Sequence, residues 1–238
     1  MDWLTPQIQA LAWTAMVVGF VHTVLGPDHY LPFIALSRAR RWSLARTLAV
    51  TGFCGVGHVM GSVLIGLLGL AAGAALNQLV ELESLRGQLA SWAMLSFGLV
   101  YTAWGIRQVW RKRQHKHVHV HGDGTAHLHQ HSHQREHAHP HLEQGSSLGP
   151  WAIFIVFVLG PCEALIPILM YPAASHNYAG LAWVVLVFGV ITIATMTGIV
   201  FLGVRGLAGL KQHHWDQYTH VLTGTAISLC GVFMLVGF

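Results

Sequence analysis

An all-α polytopic membrane fold is what this sequence predicts: six transmembrane helices arranged as two inverted three-helix repeats, with helices 1 and 4 broken. Three observations predict it. Only 9% of the 238 residues are charged and 53% are hydrophobic, whereas soluble domains carry about 25% charged residues. Six apolar segments, at roughly 8–35, 47–75, 88–108, 150–173, 179–204 and 217–238, reach the ~20 helical residues needed to cross a bilayer. A short phrase, Val-Leu-Gly-Pro followed by two polar residues, occurs in the first segment and again in the fourth.

The first segment follows MDWLTPQIQA, which has neither Lys nor Arg nor a small-residue cleavage site, so it reads as a retained span and not a signal peptide. Cys54, Cys162 and Cys230 form no CxxC pair and sit in apolar segments, which implies no disulfide framework. The 13 Lys and Arg residues set the orientation. Twelve of them follow spans 1, 3 and 5; only Arg86 falls in the loop expected after span 2, beside Glu81 and Glu83. The positive side is expected to be cytoplasmic, which puts both termini outside and suits a bacterial-type inner membrane. The expected units are residues 1–110 for the first repeat, 111–148 for a cytoplasmic loop and 149–238 for the second repeat. Expected partners are the lipid bilayer and a metal ion, with a homo-oligomer open and no nucleic acid.

Within the phrase, Pro27 leaves the Thr23 carbonyl without its helical partner, and Pro161 does the same to Phe157. Gly26 and Gly160 lower the cost of leaving helical geometry, and Pro32 and Pro167 weaken the helix again a turn later. The two copies stand 134 residues apart (161 − 27). Gly61, Gly66 and Gly69 in span 2 match the spacing of Gly198, Gly203 and Gly206 in span 5. Such breaks must face protein or a water-filled cavity, and inverted repeats with broken helices are common in secondary transporters.

The breaks carry ionisable residues, which are costly in a membrane and mark functional sites. His22, Asp28 and His29 come from span 1, His58 from span 2, and Cys162 and Glu163 from span 4. Nitrogen, oxygen and sulfur donors together suit borderline divalent metals. On an unbroken helix His22 and His29 would be ~10.5 Å apart along the axis. Either the break folds the segment back, or the two histidines serve successive positions on a path.

Between spans 3 and 4, residues 115–141 hold eleven of the 18 histidines: His115, His117, His119, His121, His127, His129, His131, His133, His137, His139 and His141. The segment has almost no apolar content, so it is expected to be disordered and to capture metal on the cytoplasmic side.

GFVHTVLGPDH (19–29) resembles the signature of the nickel/cobalt transporter superfamily, and GVGHVMGSV (55–63) resembles the segment that family carries in its next span. FVLGPCEALIP is similar to a segment of related permeases. The GPDH form resembles the urease-accessory and sulfite-exporter-like branch, and the histidine loop resembles that of nickel/cobalt efflux proteins. This resemblance implies a secondary transporter of a divalent transition metal, nickel or cobalt first and zinc next, with export favoured over uptake. The metal would be substrate, with no prosthetic group and no enzymatic reaction. One alternative is a membrane metal-binding accessory protein for metalloenzyme maturation. Another is a transmembrane thiol electron carrier, which needs two sulfurs; the first-half counterpart of Cys162 is Asp28.

Overall fold

The computed structural model describes residues 3–71, 73, 76–113, 119–120, 126–127, 148–160, 162, 165–208 and 218–237. Among them are eight helices: α1 (Pro6–Leu25), α2 (Leu31–Ala39), α3 (Leu44–Ala71), α4 (Leu76–Arg113), α5 (Leu148–Leu159), α6 (Leu165–Ala174), α7 (Tyr178–Ala208) and α8 (Thr219–Leu235). Within the histidine-rich segment, two two-residue strands, β1 (His119–Val120) and β2 (Ala126–His127), pair antiparallel with His119 opposite His127. Four helices hold stretches long and apolar enough to cross a membrane: Pro6–Leu25, Leu44–Gly69, Leu76–Trp110 and Tyr178–Leu207. Large apolar side chains point outward along them, with Val100 71% and Leu202 68% exposed. Lipid is the only surrounding that suits such a surface, so the chain is a multi-pass membrane protein in contact with the bilayer.

The first expected span is broken as its sequence requires. Thr5 caps α1 by accepting from the Ile8 amide, with Pro6 in the first turn. The helix stops at Gly26, whose backbone is extended (φ −88°, ψ 95°), and a single 3₁₀ turn covers Pro27–His29. α2 then restarts with Pro32 in its first turn, where a missing amide is harmless. Pro32 therefore begins a helix and does not weaken one, which corrects its expected role. Pro167 likewise falls in the first turn of α6.

The third expected span, 88–108, is too short. α4 begins at Leu76 and includes Glu81, Glu83 and Arg86, residues that read as loop because they are charged. Glu83 and Arg86 are buried and paired at 2.7 Å, so their charges do not expel the segment from the helix. The single apparent exception to the loop-charge pattern is thus not a loop charge.

Helix pairing follows small residues. α4 lies along α8, where a methyl added at Gly98 would strike the Ser228 backbone and one at Gly231 would strike the Leu95 backbone. Lipid gives apolar faces no reason to seek each other, so close backbone approach at glycines is a main source of association. α1 packs on α7, α3 on α5 and α7, and α2 on α8. Two buried clusters result. One holds Phe33, Cys54, Phe157, Met196 and Cys230; the other holds Val59, Cys162, Leu165 and Phe188.

Candidate metal centre at the first helix break

The break folds the chain back on itself. His22, on the last turn of α1, and His29, closing the 3₁₀ turn, have ring centroids 4.7 Å apart. That compares with ~10.5 Å for seven residues of straight helix, and it decides between the two alternatives left open by the sequence. His58, from the middle of α3, completes the group, with centroids 5.1 Å from His29 and 6.3 Å from His22. One ligand nitrogen from each of the three lies within 4.8 Å of the others.

Backbone carbonyls orient two of the rings. His29 Nδ1 is 3.1 Å from the Gly26 carbonyl and 3.3 Å from Asp28 Oδ1. Both partners are acceptors, so Nδ1 carries a hydrogen, and in the neutral ring Nε2 presents a bare lone pair. His58 Nδ1 is 3.2 Å from the Phe157 carbonyl, which also accepts from the Gly160 amide at 3.1 Å. The same argument leaves His58 Nε2 bare. A histidine whose far nitrogen donates to a carbonyl or carboxylate is the usual form of a metal ligand.

The Nε2 atoms of His22, His29 and His58 are all buried without a hydrogen-bond partner. A buried polar atom left unpaired is destabilising by ~1–3 kcal/mol, and three of them on rings that meet are not a random defect. They fit a cation held by imidazole nitrogens, as borderline transition metals are. Thr192 Oγ1 on α7 is a fourth buried atom of this kind, and it faces Gly19, one turn before His22. Nothing in the apolar pattern around Thr192 distinguishes it in the sequence.

The glycines of the phrase act through space and not through torsional freedom. A Cβ on Gly26 would come 2.5 Å from His29 Nδ1 and 2.9 Å from Asp28 Oδ1. A Cβ on Gly160 would come 3.1 Å from the Phe157 oxygen and 3.2 Å from His58 Nδ1. The φ of −88° at Gly26 is open to any residue, so the ring beside it is what demands glycine.

The remaining sequence candidates are placed differently. Asp28 stands behind His29, on its Nδ1 side, and is outside the three-nitrogen group. Cys162 is fully buried in the cluster of Val59 and Leu165, with its amide 3.3 Å from Glu83 Oε2; it too is outside the group. Glu163, Pro161 and the loop histidines other than His119 and His127 lie outside the described residues. Sequence reading missed Glu83, Arg86 and Ser62, which meet in one buried network. The signal available was an acid and a base three residues apart, which puts them on one face of a helix.

Fold and site define a multi-pass helical membrane protein with a histidine centre at a helix break. A family model described as cytochrome c biogenesis protein transmembrane region matches residues 12–233, and the chain belongs to that family. It is also similar, at 41% identity over 66 residues, to chloroplast protein FOR GROWTH AND FERTILITY 1 of Arabidopsis thaliana. That stretch is 28% of this chain and 16% of the relative. No solved structure matches.

This corrects the expected membership of the nickel/cobalt transporter superfamily, and with it the reading as a nickel/cobalt or zinc efflux transporter. The motifs behind that reading span few residues, and a proline break presenting polar side chains inside a membrane is a local solution that unrelated families can share. The family match extends over nearly the whole chain. It favours the alternative of transmembrane thiol electron transfer over metal transport.

Proposed function

We propose that this chain is a membrane component of metalloprotein maturation whose working centre is a resident divalent transition metal held by His22, His29 and His58. The observation that carries the reading is the convergence of three histidines, each with one ring nitrogen within 4.8 Å of the others and each with a buried Nε2 that has no hydrogen-bond partner. Asp28 and the Gly26 and Phe157 carbonyls hold two of the rings in the metal-binding tautomer. Membership in a cytochrome c biogenesis family supplies the setting.

The architecture behind it is six crossings in two inverted halves. Exchanging the halves maps the α1–α7 contact onto the α3–α5 contact and maps α4–α8 onto itself. Gly66 on α3 faces Leu169 of α6, and Gly203 on α7 faces Ile34 of α2, so matching glycines meet the helix after the break in the opposite half. The twelve Lys and Arg residues that follow the expected spans 1, 3 and 5 support a cytoplasmic side of a plasma membrane for the histidine-rich segment. Its histidines gather metal there.

Cobalt(II) titration of the full chain in nanodiscs, with the eleven loop histidines changed to Gln, tests the centre. One cobalt per chain with visible ligand-field bands is expected, lost in the His22→Gln/His29→Gln/His58→Gln variant. Binding that survives that variant, or absent binding in the parent, overturns the reading.

A second reading follows from the family itself: thiol electron transfer through Cys162, which sits at the second break. Its difficulty is the partner, since Cys54 and Cys230 lie in the other buried cluster. A redox-dependent Cys54–Cys162 bond found by mass spectrometry would favour it over the metal centre.

A further inference from the structure

Arg86 makes four contacts from inside the protein. Its Nε donates to the Leu159 carbonyl at 3.1 Å, and Nη1 pairs with Glu83 Oε1 at 2.7 Å. Nη2 donates to Ser62 Oγ at 3.0 Å and to the Gly160 carbonyl. Glu83 is fully buried; its Oε2 accepts from the Cys162 amide at 3.3 Å and from Ser62 at 3.4 Å. Gly61 leaves the room, since a Cβ there would meet the Val158 carbonyl at 2.9 Å and the guanidinium at 3.4 Å.

The network thus grips the backbone on both sides of Pro161, at Leu159, Gly160 and Cys162. A buried ion pair is weak evidence for stability, because desolvation offsets its attraction. Its placement is informative. Two residues before Leu159 lies the Phe157 carbonyl, the acceptor that orients His58, and Gly160 packs directly against the His58 ring. Ser62 joins from the same side: it is one turn beyond His58 on α3.

We propose that the Arg86–Glu83 pair is a positioning device for the histidine centre: it fixes the unwound end of α5 so that the Phe157 carbonyl holds His58 with Nε2 toward His22 and His29. The proposal deepens the metal reading and rests on it for its consequence, though not for its geometry. Arg86 touches no ligand nitrogen; it acts through the backbone of the second break on a ligand from the first half. Lysine cannot replace it, because a single ammonium lacks the planar fork that reaches two carbonyls, a hydroxyl and a carboxylate together.

The test uses the full chain in nanodiscs, with the loop histidines changed to Gln and ¹⁵N-labelled histidine. Two variants are compared with this parent: Arg86→Lys, and the neutral pair Glu83→Gln/Arg86→Gln, which leaves no unpaired buried charge. The first readout is the His58 ring ¹⁵N spectrum without metal, assigned with His58→Gln. The second is cobalt(II) affinity. The proposal expects the Nδ1–H signature of His58 to shift in both variants and affinity to fall ~10–100-fold, the range for partners that orient a ligand, while His22 and His29 keep their resonances. A His58 spectrum unchanged in either folded variant overturns it. If the parent binds no cobalt yet His58 shifts, the positioning stands and the metal reading fails. A variant that loses all histidine resonances together shows a structural role only and also overturns it.

Discussion

His22 and His29 stand seven residues apart in the chain, yet their rings meet edge to face at 4.7 Å. Gly26 and Pro27 bring this about, the proline by stopping α1 and the glycine by leaving space for the returning imidazole. The relationship turns a helix break into a pair of ligands, to which α3 adds His58.

Gly26→Ala is expected to separate the pair. The new methyl would lie 2.5 Å from His29 Nδ1, so the ring must rotate away. Overpacking of this kind is destabilising by about 1–3 kcal/mol. Cobalt binding by the purified chain should weaken even where the protein still inserts. Unchanged affinity would mean that the ring does not need its place beside Gly26.

Asp28→Asn preserves an oxygen near His29 Nδ1 but removes the charge that strengthens the ring as a donor. A loss of ~10-fold in metal affinity is expected, at the lower edge of the 10–100-fold range for such partners. Isothermal titration with cobalt(II) reads it directly. A complete loss would instead place the carboxylate on the metal itself.

Cys162→Ser separates the two functional readings. The thiol is fully buried and lies outside the three-nitrogen group, so metal affinity should stay within about twofold of the parent, well inside the 10-fold effect of an orienting partner. If maturation of a c-type cytochrome in cells is lost while metal binding is intact, thiol chemistry is the working step.

Gly98→Val tests the α4–α8 contact. Its side chain would collide with the Ser228 backbone and push the helices apart. A large drop in melting temperature in detergent is expected. Gly52→Ala is the matched control: nothing lies within 4 Å of the added methyl, and alanine gains ~1 kcal/mol of helix propensity over glycine.

Much of the fold is legible in the chain. Length and apolarity announce the helices, and prolines at 27 and 161 announce the two breaks, because a missing amide acts locally wherever it occurs. Glu83 and Arg86 were misread for a physical reason: charge predicts exposure unless an unseen partner neutralises it. Here the partners are each other and the carbonyls of Leu159 and Gly160, more than seventy residues away.

The sequence by itself determined a membrane protein of long apolar helices, two proline breaks and the donor types available at them. Only the tertiary structure decided which donors meet. His22, His29 and His58 converge because the first break turns back and α3 lies against it, whereas Asp28 stands behind His29 and Cys162 turns into a separate apolar cluster. Residue type and spacing specify local conformation. Convergence depends on packing between segments distant in the chain: Pro161 marks the Phe157 carbonyl locally, but no local pattern shows that this carbonyl meets His58.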